Sequence, residues 1–478
     1  MKKKNYELPM TRRDFIRRAA CAGVGTWAVT SMLRDLRFIN AALAQDTQSD
    51  YKALVCIFLS GGNDSNNLIV PASATEYANY AAIRQNLALP QSSLLGISPL
   101  NGGPAFGLHP VATGLQTLFG EGKLALLFNA GTLVYPITSA QYKAGTVAKP
   151  PQLFSHADQV TQWQTSIPDQ PPLTGWGGRC ADLLDTLNTA NGGKISLSVT
   201  LAGANTFEVG NLVSQYAVSS SGAVSLSGVS GTRLQAMKDI LGLNYPNMQE
   251  QAFATVKAHS INTADVLNSN ITATASSSYW TTPFPNTTLG NQLKMIARLI
   301  AGRAGLNMKR QIFFCSAGGY DTHTGQIGTG AAPTDTTVGG HANLLSELSA
   351  SMFAFQRAME QLATAPGELT PLATRVTAFT ASDFGRTLPT NGQGSDHGWG
   401  SHHLICGGSV NGQRTYGNFP ALTVNGPDDT STGRWIPTTS VDQYSATLAR
   451  WFGVTDSNLA TVFPNIGRFA SSNLGFLA

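Results

Sequence analysis

Charged residues are scarce in this chain, and no basic face is visible along it. Charged residues make up 12% of the 478 residues, about half of the quarter that is usual for soluble domains. Nine of the 31 basic and three of the 27 acidic residues lie within residues 1–44, which leaves 22 basic and 24 acidic residues in the remainder. The sequence therefore argues against a nucleic-acid partner.

Motifs of several enzyme and metal-binding classes are also absent. The sequence has no C-x-x-C pair, which removes the usual argument for a cysteine zinc site or a redox pair. It has no P-loop, no H-E-x-x-H and no G-x-G-x-x-G after a predicted strand. A serine hydrolase is disfavoured because no G-x-S-x-G occurs. Cys56, Cys315 and Cys406 each lie in an apolar run, where cysteine packs as a small apolar side chain.

The first 44 residues have the order of segments found in an export signal. A basic segment containing Arg12 and Arg13 precedes an apolar stretch at residues 19–33, and a small-residue cleavage site follows at residues 42–44. The arginine pair before Phe15 and Ile16 resembles the twin-arginine type. We predict a signal peptide over residues 1–44, export by the twin-arginine translocation machinery to the periplasm or beyond, and no stable membrane span after cleavage. The alternative is an uncleaved anchor or a buried helix.

Short apolar runs alternate with amphipathic patterns after residue 44. The runs lie at residues 54–59, 124–128, 312–315, 376–380 and 404–406, and their lack of alternation is typical of strands buried on both faces. Helical patterns lie at residues 111–118, 180–187, 289–306, 344–362 and 441–452. We predict a single α/β domain over residues 45–478, with a mostly parallel central sheet, helices on both faces and a β-rich insertion around residues 192–231. The Ser/Thr/Asn-rich stretch at residues 262–291 predicts a long, weakly patterned connection.

Polar clusters follow three of the predicted strands directly. Asp64 follows the first run, Asp321 and His323 follow the run at 312–315, and Asp383 and Arg386 follow the run at 376–380. Ligands bind outside the carboxyl ends of parallel strands, and a glycine-rich loop carries His397 shortly afterwards. Alone, each cluster fits a turn, a cap or a structural ion pair. Together they favour one site for a divalent metal such as Zn²⁺, Mn²⁺ or Mg²⁺.

A further candidate opens a predicted helix at Ser155, His156 and Asp158. The spacing of Ser155 and Asp158 is close to a capping box, which favours plain N-capping. The functional alternative is that the helix N-terminus binds an anion and that Ser155 attacks phosphorus or sulfur.

The motifs resemble a bacterial exported family catalogued as domain of unknown function 1501. The matching segments, in order, are residues 58–64, 155–156, 175–179, 319–323, 382–387 and 396–417, so the resemblance covers essentially the whole chain after the signal peptide. That family is grouped with the alkaline phosphatase and sulfatase superfamily. The resemblance therefore implies an alkaline-phosphatase-like α/β fold with a metal site at the strand ends.

The resemblance also implies roles for individual residues. The implied ligands of one or two divalent metal ions are Asp64, Asp321, His323, Asp383 and His397. Phe384 stands where superfamily phosphatases have a histidine, and Asp383 stands where the family usually has glutamate. The order of motifs makes Ser155 the implied nucleophile, although it lies farther from Asp64 than is usual. No Cys-x-Pro-x-Arg motif of a sulfatase is present.

These observations predict an exported, metal-dependent hydrolase of phosphate or sulfate esters, acting on a small molecule or a polysaccharide. The metal would polarise the ester and activate Ser155 or a water. His156 or Arg386 would neutralise the developing negative charge. The alternative is an exported binding or assembly protein that retains the scaffold and a structural metal without the chemistry.

Overall fold

The computed structural model describes residues 50–171, 173–223, 228–274, 281–329, 333–362 and 371–478. The predicted signal peptide lies outside the described residues. The strands are β1 (Lys52–Leu59), β2 (Ile69–Pro71), β3 (Leu95–Ile97), β4 (Phe106–Leu108), β5 (Leu124–Gly131), β6 (Ser198–Thr200), β7 (Tyr216–Ser219), β8 (Gly222–Ala223), β9 (Arg310–Ala317), β10 (Val376–Ser382), β11 (Ser401–Gly407), β12 (Arg414–Tyr416) and β13 (Thr439–Ser440). The α-helices are α1 (Ser65–Leu68), α2 (Ala74–Arg84), α3 (Thr113–Gly120), α4 (Ser139–Ala144), α5 (His156–Thr165), α6 (Trp176–Thr189), α7 (Gly231–Leu241), α8 (Met248–Ala273), α9 (Thr288–Ala301), α10 (Gly340–Gln361), α11 (Val441–Phe452) and α12 (Leu459–Val462).

One large sheet forms the centre of the described structure. Its order is β12-β5-β11-β10-β1-β9-β6-β7-β8, and β13 pairs with β5. The strands from β10 through β7 are mutually parallel, whereas β11 is antiparallel to both of its neighbours. A smaller antiparallel sheet contains β2, β4 and β3. The expected α/β class with a mostly parallel sheet is therefore confirmed.

Helices cover both faces of this sheet because β1 is apolar on both sides. Val55 and Ile57 belong to one core, together with apolar residues of α3, α9 and α10. Leu54 and Cys56 belong to a second core, which contains apolar residues of α6 and α11. Alternate residues of a strand point to opposite faces, so a strand between two helical layers needs a continuous apolar run.

The predicted apolar runs all lie within observed strands, namely β1, β5, β9, β10 and β11. The cysteines among the described residues, Cys56, Cys180, Cys315 and Cys406, are free and buried. In the described part of the chain, no helix has the length and apolar character needed to cross a bilayer.

The prediction of a connection at residues 262–291 is wrong over residues 262–273, because α8 continues to Ala273. Ile261, Ala264, Leu267 and Ile271 are buried along α8, at spacings that place them on one side of a helix. The polar residues between them concealed this sparse apolar stripe. Within residues 192–231, β6 and β7 extend the main sheet in parallel, and β7 forms an antiparallel hairpin with β8.

Candidate metal-binding and active site

Three neighbouring parallel strands, β9, β1 and β10, end at one edge of the sheet. The loops after them approach closely because Gly61 has a positive φ of 117°, a conformation that favours glycine. A Cβ atom at Gly61 would clash with the backbone of Tyr320 and Asp321. The Gly61 N–H donates to the Asp383 carboxylate at 3.1 Å, which ties the loop after β1 to the end of β10.

Three histidines and one aspartate meet at this edge, and we call them the open cluster: His156, Asp321, His323 and His397. The Nε2 atom of His397 lies 3.1 Å from Nε2 of His156 and 2.9 Å from Nε2 of His323. The Asp321 carboxylate lies 3.3 Å from Nε2 of both His323 and His397, and 3.5 Å from Nε2 of His156. The cluster is accessible to solvent, since the side chains of His323 and Asp321 are 40% and 46% exposed.

Each histidine of the open cluster is oriented by an acceptor at its other ring nitrogen. Nδ1 of His156 lies 2.6 Å from the Asp383 carboxylate, and Nδ1 of His323 lies 3.0 Å from the Asp396 carboxylate. Nδ1 of His397 lies 2.8 Å from the backbone oxygen of Phe154. We assign the proton of each neutral ring to Nδ1 because these partners only accept.

With these tautomers, three imidazole lone pairs and one carboxylate face the same small space. Such a group of acceptors repels itself unless a cation lies between its members. Three imidazole nitrogens and one carboxylate oxygen also form a donor set that zinc and related divalent metals accept. A carboxylate or carbonyl behind each imidazole is the usual outer support of a metal-ligating histidine. His156, Asp321 and His397 have ligand atoms within 4.8 Å of one another, so these three residues fit a metal ion. His323 is not in this group, although it lies close to His397 and Asp321.

The Asp321 carboxylate is held by the guanidinium of Arg386. Nη1 of Arg386 donates to Asp321 at 2.8 Å and to the Gly61 carbonyl at 3.3 Å, and Nη2 donates to the Ser395 carbonyl. Burial raises the pKa of Asp321, but the hydrogen bond and charge of Arg386 outweigh burial and leave that pKa below its ordinary value. Arg386 is fully buried, and its guanidinium orients a carboxylate of the cluster. From the sequence, Arg386 was instead expected to contact the substrate.

The carboxylates behind the histidines differ in environment. Burial raises the pKa of Asp383, although the hydrogen bond with His156 acts in the opposite direction. A hydrogen bond from Asn391 lowers the pKa of the more exposed Asp396, and His323 lowers it further. Burial lowers the pKa of His397, which favours its neutral ring. The direction for His397 suits a neutral imidazole whose Nδ1 proton goes to the Phe154 carbonyl oxygen.

A second polar group lies deeper and has a cation of its own. We call it the closed cluster: Asp64, Arg84 and Gln326. Both Arg84 and Gln326 donate to Oδ2 of Asp64, and the side chains of Asp64 and Arg84 are 0% exposed. Burial raises the pKa of Asp64, but the charge of Arg84 outweighs it and lowers that pKa overall.

Each nitrogen of the Arg84 guanidinium donates a hydrogen bond to the surrounding protein. Its Nε atom donates to Asn67 at 3.1 Å, and Nη1 donates to the carbonyls of Thr387 and Leu388, each at 3.0 Å. Its remaining nitrogen, Nη2, donates to Asp64. Asp64 was a predicted metal ligand, but among the described residues its charge partner is this arginine, and the structure does not bring Asp64 into the group of converging ligand atoms.

Ser155 occupies the N-cap position of α5, but its hydroxyl does not cap the helix. The hydroxyl instead donates to the Asp158 carboxylate at 2.6 Å. The predicted capping by this side chain is therefore wrong. Ser155 is partly exposed and directly precedes His156 of the open cluster.

The structure thus brings Asp321, His323 and His397 together as predicted and adds His156 to them. Asp383 supports His156 from behind and does not converge with the other acceptors. Phe384 packs against the rings of His156 and His397, with centroids 4.8 and 4.6 Å away. Asp396, which directly precedes His397 in the glycine-rich loop, was not among the predicted ligands. Strand-end spacing did not reveal His156, because it comes from the start of a helix.

The fold and the site define a mixed α/β protein with a histidine-rich candidate site at the carboxyl ends of parallel strands. The family model described as "Protein of unknown function (DUF1501)" matches residues 51–462. The match spans most of the chain, so the protein belongs to this family. No curated protein matches the sequence.

Proposed function

We propose that this protein is a metal-dependent hydrolase of phosphate or sulfate esters and that the open cluster binds one divalent metal ion. The proposal rests on the ligand atoms of His156, Asp321 and His397, which lie within 4.8 Å of one another, with His323 close to His397. Each imidazole also has an acceptor at Nδ1. A divalent metal in this position supplies Lewis-acid polarisation of an ester oxygen.

We propose one ion because the second group of predicted ligands is already neutralised. The charge of Asp64 is compensated by Arg84. Asp383 accepts from His156 and from the Gly61 N–H. A further cation at Asp383 would have to displace these partners, and one at Oδ1 of Asp64, which is unpaired within the described part of the chain, would lie beside the Arg84 guanidinium. The family's relation to alkaline phosphatases and sulfatases, which the motifs suggest, is part of this proposal.

Ser155 is the proposed nucleophile, and Asp158 is its proposed base. The Ser155 hydroxyl donates to Oδ2 of Asp158 at 2.6 Å, which is the distance expected of a nucleophile and the base that receives its proton. On attack, the Ser155 proton would pass to Oδ2 of Asp158 as the bond from Oγ to phosphorus or sulfur forms. The ester bond to the leaving alcohol would break in the same step, and the leaving oxygen would take a proton from solvent. Water would then hydrolyse the ester on Ser155, returning the proton to Oγ, and Asp158 would release its proton to solvent.

The exposure of the open cluster suits an ester group carried by either a small molecule or a polysaccharide. The side chains of His156, His323 and Asp321 are 34%, 40% and 46% exposed. The N-terminal sequence supports export by the twin-arginine machinery, with the mature protein in the periplasm or secreted.

Metal analysis combined with ester hydrolysis tests the proposed function. We expect purified protein to retain about one divalent metal per chain and to hydrolyse an aryl phosphate or an aryl sulfate. Chelation should abolish turnover, and Ser155→Ala should abolish it without loss of metal. Arg414→Ala, on edge strand β12, is the matched surface control. Absence of stoichiometric metal, or full activity of Ser155→Ala, would contradict the proposal.

A non-catalytic binding or assembly role is the second candidate, and Phe384 favours it. Its ring packs on two histidines of the open cluster, next to Asp383. A phenylalanine cannot bind a metal ion, so the position after Asp383 supplies no ligand for a second ion. In that case the metal stabilises the fold only. Tight metal without turnover on any aryl ester, and no effect of Ser155→Ala, would support this second role.

A further inference from the structure

Arg434 lies beside the open cluster and is anchored to His397 and to Phe154, which itself contacts His397. Its Nε atom donates to the backbone oxygen of His397 at 2.8 Å. Its guanidinium carbon lies 4.1 Å from the ring centroid of Phe154, the residue whose carbonyl oxygen faces Nδ1 of His397. Stacking on an aromatic face and a hydrogen bond through Nε fix a guanidinium plane while leaving its outer edge available.

The loop that carries Arg434 is held by a buried carboxylate. Asp429 is 0% exposed, and it accepts from the backbone N–H groups of Asn425, Gly433 and Arg434 at 2.8, 2.9 and 2.9 Å. Those backbone donors occupy the Asp429 carboxylate. Within the part of the chain that the structure describes, no carboxylate lies within ion-pair distance of the Arg434 guanidinium.

Arg434 differs in this respect from the two buried arginines nearby. Arg84 and Arg386 are fully buried and bind protein carboxylates and carbonyls. Arg434 is partly exposed, and its two terminal nitrogens donate to no described residue. It therefore presents two parallel N–H donors and a positive charge beside His397 of the open cluster, the arrangement that binds tetrahedral oxyanions in a bidentate manner.

The first turn of α5 adds positive potential on the same side. Gln159 is the first residue of this turn whose N–H bonds within the helix, to the Ser155 carbonyl at 3.0 Å, so the N–H groups of residues 156–158 have no intrahelical acceptor. The Asp158 carboxylate lies in the same turn and opposes this potential. Arg434 is consequently the main positive group available to an anion, and the N-terminus of α5 makes a smaller contribution.

We propose that Arg434 binds the non-bridging oxygens of the anionic group of the substrate, a role that sequence analysis gave to Arg386. This proposal rests on the proposed function, because it places the phosphate or sulfate of the ester between Arg434 and the open cluster. Two charge-assisted hydrogen bonds of this kind correspond to a change of about 10- to 100-fold in affinity.

Titration with inorganic phosphate tests this role without any assumption about the ester. The full protein is titrated calorimetrically in its metal-loaded form and again after chelation. The variants are Arg434→Ala, Arg434→Lys and the exposed arginine control Arg414→Ala, and the metal content of each is measured. We expect Arg434→Ala to weaken phosphate binding about 10- to 100-fold while retaining its metal. Arg434→Lys should recover only part of the loss, because lysine has no planar pair of donors, and Arg414→Ala should match the wild type.

The outcomes separate the two proposals. Wild-type phosphate affinity in Arg434→Ala, or no phosphate binding by the wild type, overturns the role of Arg434. Loss of metal from both Arg434 variants also overturns it, since the residue would then support the cluster structurally. If the wild type retains no metal, the proposed metal site fails. The chelated titrations still decide whether Arg434 contacts the anion.

Discussion

The open and closed clusters lie at the same edge of one sheet, yet their charges are balanced in different ways. In the closed cluster, the Asp64 carboxylate is buried with the guanidinium of Arg84. In the open cluster, Asp321 lies against three imidazole nitrogens. Among the described residues its arginine partner is Arg386, which donates to the same Asp321 oxygen that lies near His323 and His397. The closed cluster thus has its cation within the fold, although Oδ1 of Asp64 is buried without a hydrogen-bond partner among the described residues. The open cluster has acceptors grouped for the cation proposed above. Strand-end position alone does not distinguish a binding site from a structural ion pair.

Removing a ligand from the open cluster should give the largest effect. We expect His397→Ala to lower the metal content from about one ion per chain to less than about 0.1 and to reduce turnover about 1,000-fold. Its metal-free form should unfold within about 1 kcal/mol of the metal-free wild type, since the cluster is solvent-accessible. Elemental analysis and urea unfolding measure the two quantities. His403→Phe, at a buried histidine of β11 outside the cluster, is the control and should retain its metal.

Breaking the closed cluster should give the opposite result. Arg84→Gln leaves Asp64 buried without its cation, and we expect a loss of about 3–5 kcal/mol in the free energy of unfolding. The double variant Asp64→Asn with Arg84→Gln should regain more than half of this loss, because neither charge remains. The metal content of the folded fraction should stay at the wild-type value. Metal loss from the folded single variant would show that the two clusters are one site.

Neutralising the carboxylates behind the histidines should have an intermediate effect. Asp383→Asn and Asp396→Asn keep an acceptor for Nδ1 but remove the charge, and we expect metal affinity to fall about 10- to 100-fold. The larger loss should come from Asp383→Asn, because the Asp383 side chain is 2% exposed and that of Asp396 is 50% exposed. Competition with a chromogenic chelator gives both affinities. Equal and negligible losses would argue against the orienting role of these carboxylates.

The smallest predicted effect concerns acid stability around the closed cluster. Burial lowers the pKa of His341 to about 4, although Asp64 raises it, and Nε2 of His341 lies 3.1 Å from Oδ1 of Asn63. Between pH 6.5 and 4 the unfolded state binds a proton at this residue that the folded state does not, so stability falls as pH falls through that window.

Replacement of His341 should reduce this loss. When the pH is lowered from 7.5 to 5, the free energy of unfolding of metal-free His341→Gln should fall by about 2 kcal/mol less than that of the metal-free wild type. Urea unfolding at the two pH values measures the difference, and Arg414→Ala should lose as much as the wild type. If His341→Gln lost as much stability as the wild type, the lowered pKa of His341 would not be the source of the acid sensitivity.

The sheet could be predicted because buried parallel strands leave a direct trace in sequence. The runs that became β1, β9 and β10 are continuous and apolar since both of their faces are covered. The helix Val441–Phe452 was predicted at its observed bounds, where a capping box at Ser440 begins it and Gly453 follows it. Helix α8 was missed over residues 262–273 because its exposed face is rich in Ser, Thr and Asn.

The site could be predicted only in part, because pairing between side chains depends on three-dimensional distance. The strand ends correctly placed Asp321 near Asp383, since β1 lies between β9 and β10. Nothing in the local sequence indicates that Arg84, at the end of α2, reaches Asp64. Arg434 also lacks a local signal, because its role depends on contacts with Phe154 and His397, which are distant in sequence.

The long sequence separations within the open cluster have a consequence for how a metal is acquired. His156 and His397 are 241 positions apart, and the loops that carry Asp321 and His397 follow different strands. An unfolded chain therefore has no preformed site, and the proposed metal would stabilise only the finished fold. Such a protein takes its ion from the compartment in which it folds. If export proceeds with the chain already folded, as the N-terminal sequence predicts, the identity of the ion would be decided before translocation by the metals available in the cytoplasm.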